Sequence, residues 1–182
     1  MQRLTPVDPA TATGRAKELL DEVEAAFGKS PNGTLAMAVN PAVLEGWIAL
    51  HGALSPTLTR RLNEQIAIAI AEANSCRYCL SAHTAVGRLV GVDEGELARS
   101  RAGESSDPKI AAALRFARAV NEKRGGVSDH DLAEVRAAGY DDDDIAAIVG
   151  HVALNVLTNY FNRVARPEID FPEVGGRLAE AA

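Results

Sequence analysis

The sequence predicts an all-α protein, and two observations along its 182 residues support this fold class. Apolar side chains recur three and four positions apart, which places them on one face of a helix. Between these runs stand residues that cap or end helices, chiefly Ser, Thr, Asp, Asn, Pro and Gly. The sequence shows no convincing strand alternation. We therefore predict a single helical domain over residues 1–182, with seven to eight helices, a core at about 13–165 and an irregular tail at 166–182.

Two helices are predicted in the first third of the chain. The first spans roughly Thr13 to Phe27, where apolar residues share one face, and Gly28 ends it. The tripeptide Pro31-Asn32-Gly33 has the composition of a turn. The second helix begins at Asn40-Pro41, because Asn is a favoured N-cap and Pro fits the first helical position, and it ends near Leu54.

The central segment predicts a pair of helices separated by a short break. Thr59 can cap a helix from Arg60 to Ala73, which is apolar nearly all round. Such a helix belongs at the centre of a core or at a subunit contact. Ser75 can cap the next helix, which runs from Cys76 to about Val90, and Gly91 is a natural stop.

The C-terminal half predicts four more helices, each with capping residues at its start. These starts are Asp93 with Glu96, Asp107-Pro108, Ser128 with Asp131, and Asp141 to Asp144. The last helix, Ile145 to about Ala165, is again apolar nearly all round. It is therefore also expected in the core or at a subunit contact.

Composition and charge exclude some classes of function. The formal net charge is −6 and no basic cluster with interleaved aromatic residues occurs, so we expect no nucleic-acid partner. The most apolar stretch, Ile66 to Ala73, is too short to cross a bilayer, and Met1 to Ala12 lacks the apolar region of a signal peptide. We expect no membrane partner and a cytoplasmic location. In that compartment two cysteines are more typical of catalysis or metal binding than of a structural disulfide.

The cysteines lie three residues apart at the start of a predicted helix. Cys76, Cys79 and His83 therefore project to one side of that helix. A helix N-terminus or a histidine partner favours the reactive thiolate form of cysteine. His83 is suited to moving protons near neutral pH, and a second thiol can resolve a sulfenic acid as a disulfide. The motif thus predicts thiol redox chemistry.

The residues alone leave the attacking sulfur open. The helix dipole favours Cys76, which is nearest the N-terminus, whereas a contact with His83 one turn away favours Cys79. Glu64 on the preceding helix can orient or deprotonate His83 if the two helices pack antiparallel. Glu64 and Glu72 can equally each lie on a solvated face.

Other interpretations of these polar residues remain. The cysteine pair could bind zinc with His83 and His151, or both cysteines could be inert core residues. A polar stripe on the last helix could line the site or a subunit contact, or could be a set of satisfied core residues. This stripe consists of His151, Asn155, Asn159 and Asn162. His51 and His130 are isolated in the sequence and are interpreted as structural or exposed.

The spacing E-x11-C-x-x-C-x3-H, formed by Glu64, Cys76, Cys79 and His83, resembles that of the alkyl hydroperoxidase D family. That family belongs to the carboxymuconolactone decarboxylase superfamily. The runs 64–74, 157–162 and 169–172 also resemble it, so the resemblance spans most of the chain. One local departure is Tyr78, which stands where the best-known member carries a histidine.

The resemblance implies an all-α fold of the alkyl hydroperoxidase D type and a homo-oligomer, a trimer or a hexamer. It implies a peroxidase that cycles through a disulfide without a metal ion or an organic cofactor. In that cycle Cys79 attacks the peroxide, Cys76 resolves, and His83 with Glu64 relays the proton. The reductant would be a separate dithiol protein of the lipoyl or thioredoxin-like type.

Two functions compete with a peroxidase at this stage. A carboxymuconolactone decarboxylase-like enzyme belongs to the same superfamily, but that branch does not depend on a C-x-x-C pair. A non-catalytic redox sensor would use the Cys76–Cys79 disulfide as a switch. Fold resemblance alone does not decide among these functions.

Overall fold

The computed structural model describes residues 2–175, and all regular secondary structure in that range is helical, which confirms the predicted fold class. The nine helices of this range are α1 (Gly14–Phe27), α2 (Asn32–Met37), α3 (Pro41–Leu54), α4 (Arg60–Ala73), α5 (Arg77–Leu89), α6 (Glu94–Ala102), α7 (Pro108–Glu122), α8 (Asp129–Ala137) and α9 (Asp142–Ala165). The sequence predicted seven to eight helices, and the helix that it did not predict is α2.

Most helix starts lie where local capping chemistry places them. In each of six helices, a side-chain oxygen of the N-cap residue accepts a hydrogen bond from a backbone N–H group in the first turn. These residues are Asn40, Thr59, Asp93, Asp107, Ser128 and Asp141. Because this bond spans only two or three residues, the sequence alone was enough to predict it.

Two local predictions were wrong. Pro31-Asn32-Gly33 begins helix α2 instead of forming a turn, with Pro31 as its N-cap. The N–H of Gly33 donates to the hydroxyl of Tyr78, so a contact with α5 holds this segment in place. Ser75 does not cap α5 either: it has a positive φ of 54°, and Cys76 is the N-cap.

Helix α4 lies at the centre of the fold, as its apolar sequence predicted. It packs against α5, α6, α7 and α9, and Ile66, Ile68 and Ile70 are fully buried. One apolar cluster joins α4 to α7, α8 and α9, and a second joins it to α5 and α6. Truncating such a buried isoleucine to Ala costs about 2–5 kcal/mol, so α4 contributes strongly to the stability of the fold.

Helix α9 is buried on one side only. Its inner face packs against α4, α7 and α3, and Phe161 contacts a third apolar cluster formed by α1, α2 and α3. Its outer face exposes four large apolar side chains, Val149, Leu157, Tyr160 and Val164, to between 42% and 60%. Burial in the core therefore explains the apolar residues on the inner face of α9 but not those on its outer face.

The chain after α9 is irregular over residues 166–175, which we call the C-terminal strap. Ile169, Phe171 and Val174 of this strap pack against the cluster that contains both cysteines. The remainder of the predicted tail, 176–182, lies outside the described residues, and the single-domain assignment for 1–182 stays a prediction. Within 2–175, the helices are all too short or too polar to cross a membrane.

Candidate active site

Cys76 and Cys79 form a disulfide at the head of α5, with their Cα atoms 5.3 Å apart. Cys76 is the N-cap, and its Sγ accepts a hydrogen bond of 3.3 Å from the N–H of Cys79. The two residues are only 1% and 2% exposed. The Cys76 sulfur thus lies at the positive end of the helix dipole, where negative charge on sulfur is stabilised.

A network of three side-chain amides, one fully and two partly buried, holds the turn that presents Cys76. Asn74, the C-cap of α4, donates from Nδ2 to Oδ1 of Asn121 at 3.2 Å and to Oδ1 of Asn159 at 3.1 Å. Asn121 donates back to Oδ1 of Asn74 at 3.0 Å. These bonds connect the turn to α7 and α9. The position of Cys76 therefore depends on three helices.

Glu64 and His83 are in contact across α4 and α5. Oε2 of Glu64 lies 2.8 Å from Nδ1 of His83, and Nε of Arg61 donates to the carbonyl oxygen of Val90. Earlier residues of α4 thus meet later residues of α5, so the two helices run antiparallel. Because an ionised carboxylate only accepts hydrogen bonds, Nδ1 carries the proton and Nε2 of a neutral His83 keeps its lone pair.

Glu72, the other carboxylate of α4, has a different partner. Its Oε2 accepts a hydrogen bond of 2.7 Å from Nε of Arg101, and both side chains are less than one-fifth exposed. This ion pair joins α4 to α6. Neither glutamate therefore lies on a simple solvated face, and Glu64 is the one in contact with His83.

His151 and Asn155, the first half of the polar stripe, bond to backbone groups. Nε2 of His151 lies 3.1 Å from the carbonyl oxygen of Leu54 and 3.3 Å from Oγ1 of Thr57. Burial lowers the pKa of His151 below its usual 6.5, so the neutral ring donates to Leu54. Asn155 donates to the carbonyl oxygen of His151 in its own helix. Both are satisfied core residues.

Asn159 and Asn162, the second half of the stripe, reach the cysteine motif. Asn159 accepts from Asn74 in the turn before Cys76. Asn162 is 4% exposed, and its Nδ2 donates to Sγ of Cys79 at 3.4 Å. From the sequence, the stripe could either line the site or consist of satisfied core residues. The structure brings only these two amides to the motif.

The C-terminal strap is fastened to the motif through Tyr78. The Tyr78 hydroxyl donates to Oδ1 of Asp170 at 2.8 Å and accepts from the N–H of Gly33 at 2.9 Å. Nζ of Lys29 lies 2.9 Å from Oδ2 of Asp170. Burial raises the pKa of Tyr78 well above its usual 10, which keeps the phenol protonated and able to donate.

No role for Asp170 was predicted from the sequence, where Tyr78 is only a departure from the family motif. The ring of Phe171 also meets that of Tyr78 edge to face at 5.8 Å. The available signal was the family-like run 169–172, which lies in an otherwise irregular tail. The role of this run could not be predicted without knowing that it contacts Tyr78 of α5.

His51, which looks isolated in the sequence, lies among aromatic residues and close to the Glu64–His83 pair. Its ring stacks on Trp47 at a centroid distance of 5.1 Å. Burial lowers the pKa of His51, and a smaller contribution from His83 acts in the same direction. His51 therefore belongs to the surroundings of the Glu64–His83 pair. His130, by contrast, is exposed on α8.

The residues weighed as zinc ligands are not brought together. Nδ1 of His83 contacts Glu64, and Nε2 of His151 contacts the backbone of Leu54. In the described part of the chain, no three His, Cys, Asp or Glu residues are grouped so that they could hold a metal ion. The arrangement is instead that of two sulfurs with a nearby histidine–carboxylate pair.

The family model of the carboxymuconolactone decarboxylase family matches residues 41–122, from the start of α3 to the end of α7. This range includes Glu64, both cysteines and His83. No curated protein matches the chain.

Solved structures extend the similarity to nearly the whole chain. A peroxidase-related protein of Ralstonia eutropha JMP134 with an alkylhydroperoxidase AhpD core is 27% identical, covers 92% of both chains and has a TM-score of 0.80. A peroxidase-related protein of Silicibacter sp. TM1040 is 22% identical, covers 92% of both and scores 0.76. The debrominase Bmp8, in a complex of its cysteine-to-alanine variant with 2,3,4-tribromopyrrole, is 19% identical, covers 93% of this chain and 92% of its own, and scores 0.77. The last two show the fold alone.

Proposed function

Because residues 41–122 match the carboxymuconolactone decarboxylase family model and the fold is that of a peroxidase-related protein with an alkylhydroperoxidase AhpD core, we propose that the chain is an alkylhydroperoxidase D-like, thiol-dependent peroxidase. The observation that carries this proposal is the Cys76–Cys79 disulfide at the head of α5, with His83 further along the same helix in contact with Glu64 of α4. Such a pair supports a cycle between the dithiol and the disulfide.

The reaction has three steps. The Cys79 thiolate attacks a peroxide oxygen, the O–O bond breaks, and a proton reaches the leaving alkoxide, which leaves Cys79 sulfenic acid and an alcohol. Cys76 then attacks the sulfenic sulfur, and water leaves as the disulfide forms. A dithiol protein reduces the disulfide through a mixed disulfide and becomes oxidised itself. The lipoyl and thioredoxin-like types both supply the required dithiol.

Glu64 and His83 have the proton-handling role in this proposal. Glu64 holds Nδ1 of His83 at 2.8 Å, so that Nε2 is the atom that accepts and returns the proton. In other enzymes that activate a nucleophile, a carboxylate likewise orients the imidazole that transfers the proton. The cycle itself needs no metal ion or organic cofactor, because the sulfurs carry both electrons.

A reducing compartment and self-association complete the proposal. A cytoplasmic location would keep the dithiol protein reduced between turnovers. The exposed apolar face of α9, with Val149, Leu157, Tyr160 and Val164, fits an interface between copies of this chain, as a trimer or a hexamer.

Two alternatives are outcomes of the same experiment. A decarboxylase would act without the cysteines, and a redox sensor would form the disulfide without repeated turnover. The fold also carries a debrominase, so the fold alone does not decide the reaction.

The experiment follows the consumption of hydrogen peroxide and an organic hydroperoxide with a dithiol reductant, for the wild type and its two serine variants. We expect Cys79→Ser to abolish consumption. We expect Cys76→Ser to turn over much more slowly, because its sulfenic acid has no resolving thiol within the chain and must be reduced directly by the external dithiol. Full turnover by Cys79→Ser would refute the proposal. Turnover of a carboxylated lactone by the double variant would favour the decarboxylase.

A further inference from the structure

The side-chain amide of Asn162 makes a contact with the reacting atoms that the proposed cycle has not used. Nδ2 of Asn162 donates to Sγ of Cys79 at 3.4 Å, and the residue is 4% exposed. Among residues 2–175, no other side chain donates a hydrogen bond to either sulfur. A buried polar side chain aimed at the sulfur that is proposed to attack is a candidate for a direct chemical role.

The packing around Asn162 fixes the direction of this amide. Its other atom, Oδ1, is buried without a hydrogen-bond partner. A Cβ added at Gly33 would lie 3.1 Å from this oxygen and 2.9 Å from the ring of Tyr78, so the glycine is what makes room for both side chains. The reversed amide would place a carbonyl oxygen against the lone pairs of sulfur. The unpaired oxygen is thus the cost of directing the N–H group at Cys79.

The contact changes in strength with the redox state of the sulfur. A disulfide sulfur is a weak hydrogen-bond acceptor, whereas a thiolate carries a full negative charge and binds a donor much more strongly. A donor that bonds to the charged form increases the fraction of that form at a given pH. We infer that Asn162 stabilises the Cys79 thiolate of the reduced protein and thereby prepares this sulfur for attack.

Each sulfur therefore has its own hydrogen-bond donor. The Cys76 sulfur accepts from the N–H of Cys79 at the N-terminus of α5, and the Cys79 sulfur accepts from Asn162 of α9. The helix dipole by itself favours Cys76 as the attacking thiolate. Asn162 supplies the missing stabilisation at Cys79. The role rests on the proposed function, since it concerns the same dithiol.

The test isolates one thiol and does not use peroxide. In a Cys76→Ser background only Cys79 can ionise as a thiol, and serine is a good N-cap, so α5 keeps its start. The ultraviolet absorbance of the thiolate is followed against pH, with and without Asn162→Leu. We expect Asn162→Leu to raise the midpoint by about one pH unit, a roughly tenfold lower ratio of thiolate to thiol at a given pH.

The matched control is Asn155→Leu in the same background. Asn155 is an equally buried amide of α9, but it bonds to the backbone of its own helix. We expect this variant to lose stability without moving the midpoint. Equal midpoints for the Asn162 and Asn155 variants would overturn the inference, because a merely structural amide changes stability alone.

A second measurement needs no substitution at Asn162. In the ¹⁵N-labelled Cys76→Ser protein, the side-chain amide protons of Asn162 should shift with the same pH midpoint as the thiolate absorbance. Amide protons that do not respond to this titration would also overturn the inference. Both measurements stand apart from catalysis: a shifted midpoint in a protein that consumes no peroxide supports the role of Asn162 and refutes the peroxidase.

Discussion

The hydroxyl of Tyr78 donates a 2.8 Å hydrogen bond to Oδ1 of Asp170, which lies 92 residues further along the chain. This bond fastens the C-terminal strap beside Cys79, the residue that follows Tyr78 in α5. The same hydroxyl accepts from the N–H of Gly33 in α2. One phenol therefore joins three segments around a disulfide that is almost fully buried.

Tyr78→Phe removes this junction. It leaves the N–H of Gly33 and one oxygen of Asp170 without their partner, so we expect a loss of about 1–3 kcal/mol in the free energy of unfolding. Urea unfolding followed by circular dichroism measures the loss. Tyr140→Phe is the matched control: its ring packs in the core, but its hydroxyl makes no hydrogen bond within residues 2–175, so the variant should stay within about 0.5 kcal/mol of the wild type.

Asp170→Asn should make the disulfide easier to reduce. The variant removes the charge that attracts Lys29 and weakens the bond from Tyr78, so the strap opens more often. If opening becomes about 1–2 kcal/mol easier, reduction by dithiothreitol accelerates by roughly 5–30-fold. Thiol release over time measures the rate.

Glu173→Gln is the control for the strap. Glu173 pairs with Arg77 in an exposed salt bridge, a type of contact that contributes little to stability. Its reduction rate should remain close to that of the wild type. An Asp170→Asn rate no greater than that of this control would show that the strap does not limit access.

Glu64→Gln should impair peroxide turnover more than folding. The amide cannot hold His83 as the carboxylate does, and general acid–base catalysis typically contributes about 10²–10⁴-fold, so kcat/KM should fall by roughly that factor. Its pH profile should change as well. Glu72→Gln in the same helix loses the ion pair with Arg101 and should change stability while leaving the pH profile as it is. Equal kinetic effects of the two variants would contradict the proton-relay role.

The lowered pKa of His151 predicts that the fold loses stability in acid. Its pKa is lowered by burial, so between the native pKa and the unfolded value near 6.5 the unfolded chain binds more protons than the native one. Stability therefore decreases as pH falls from about 6.5, by at most about 1.4 kcal/mol per pH unit for this residue. We expect His151→Gln to flatten this decrease in urea titrations between pH 7.5 and pH 5.

The control for acid sensitivity is His130→Gln, which removes an exposed histidine of α8. The comparison uses the slopes of the unfolding free energy against pH. His51, whose pKa is also lowered by burial, should leave a residual slope in the His151 variant. Identical slopes in the two variants would exclude His151 as the source.

Leu157→Glu tests self-association through α9. Leu157 is 42% exposed in the middle of the apolar outer face, so a buried charge there should dissociate the oligomer. Light scattering coupled to gel filtration should give a multiple of 19.2 kDa for the wild type and the monomer mass for the variant. Leu89→Glu, at an 85% exposed position of α5, should keep the wild-type mass. A monomeric wild type would rule out the proposed interface.

The helical fold and the cysteine motif could be predicted because they depend on short-range order. Capping bonds at Asn40, Asp107 and Ser128 span two or three residues, and Cys76, Cys79 and His83 share a face through helix geometry. The Pro31–Gly33 segment was mispredicted for the opposite reason: its conformation is supported by Tyr78, which lies 45 residues from Gly33.

By itself the sequence determined which residues form each main helix and that two thiols and a histidine lie together on one of them. Only the tertiary structure decided what surrounds those thiols. Asn162 reaches Cys79 across 83 residues, and Asp170 reaches Tyr78 across 92. Such contacts depend on how α2, α5, α9 and the strap pack together. Local propensities cannot encode that arrangement, because it results from the burial of apolar surface over the whole chain.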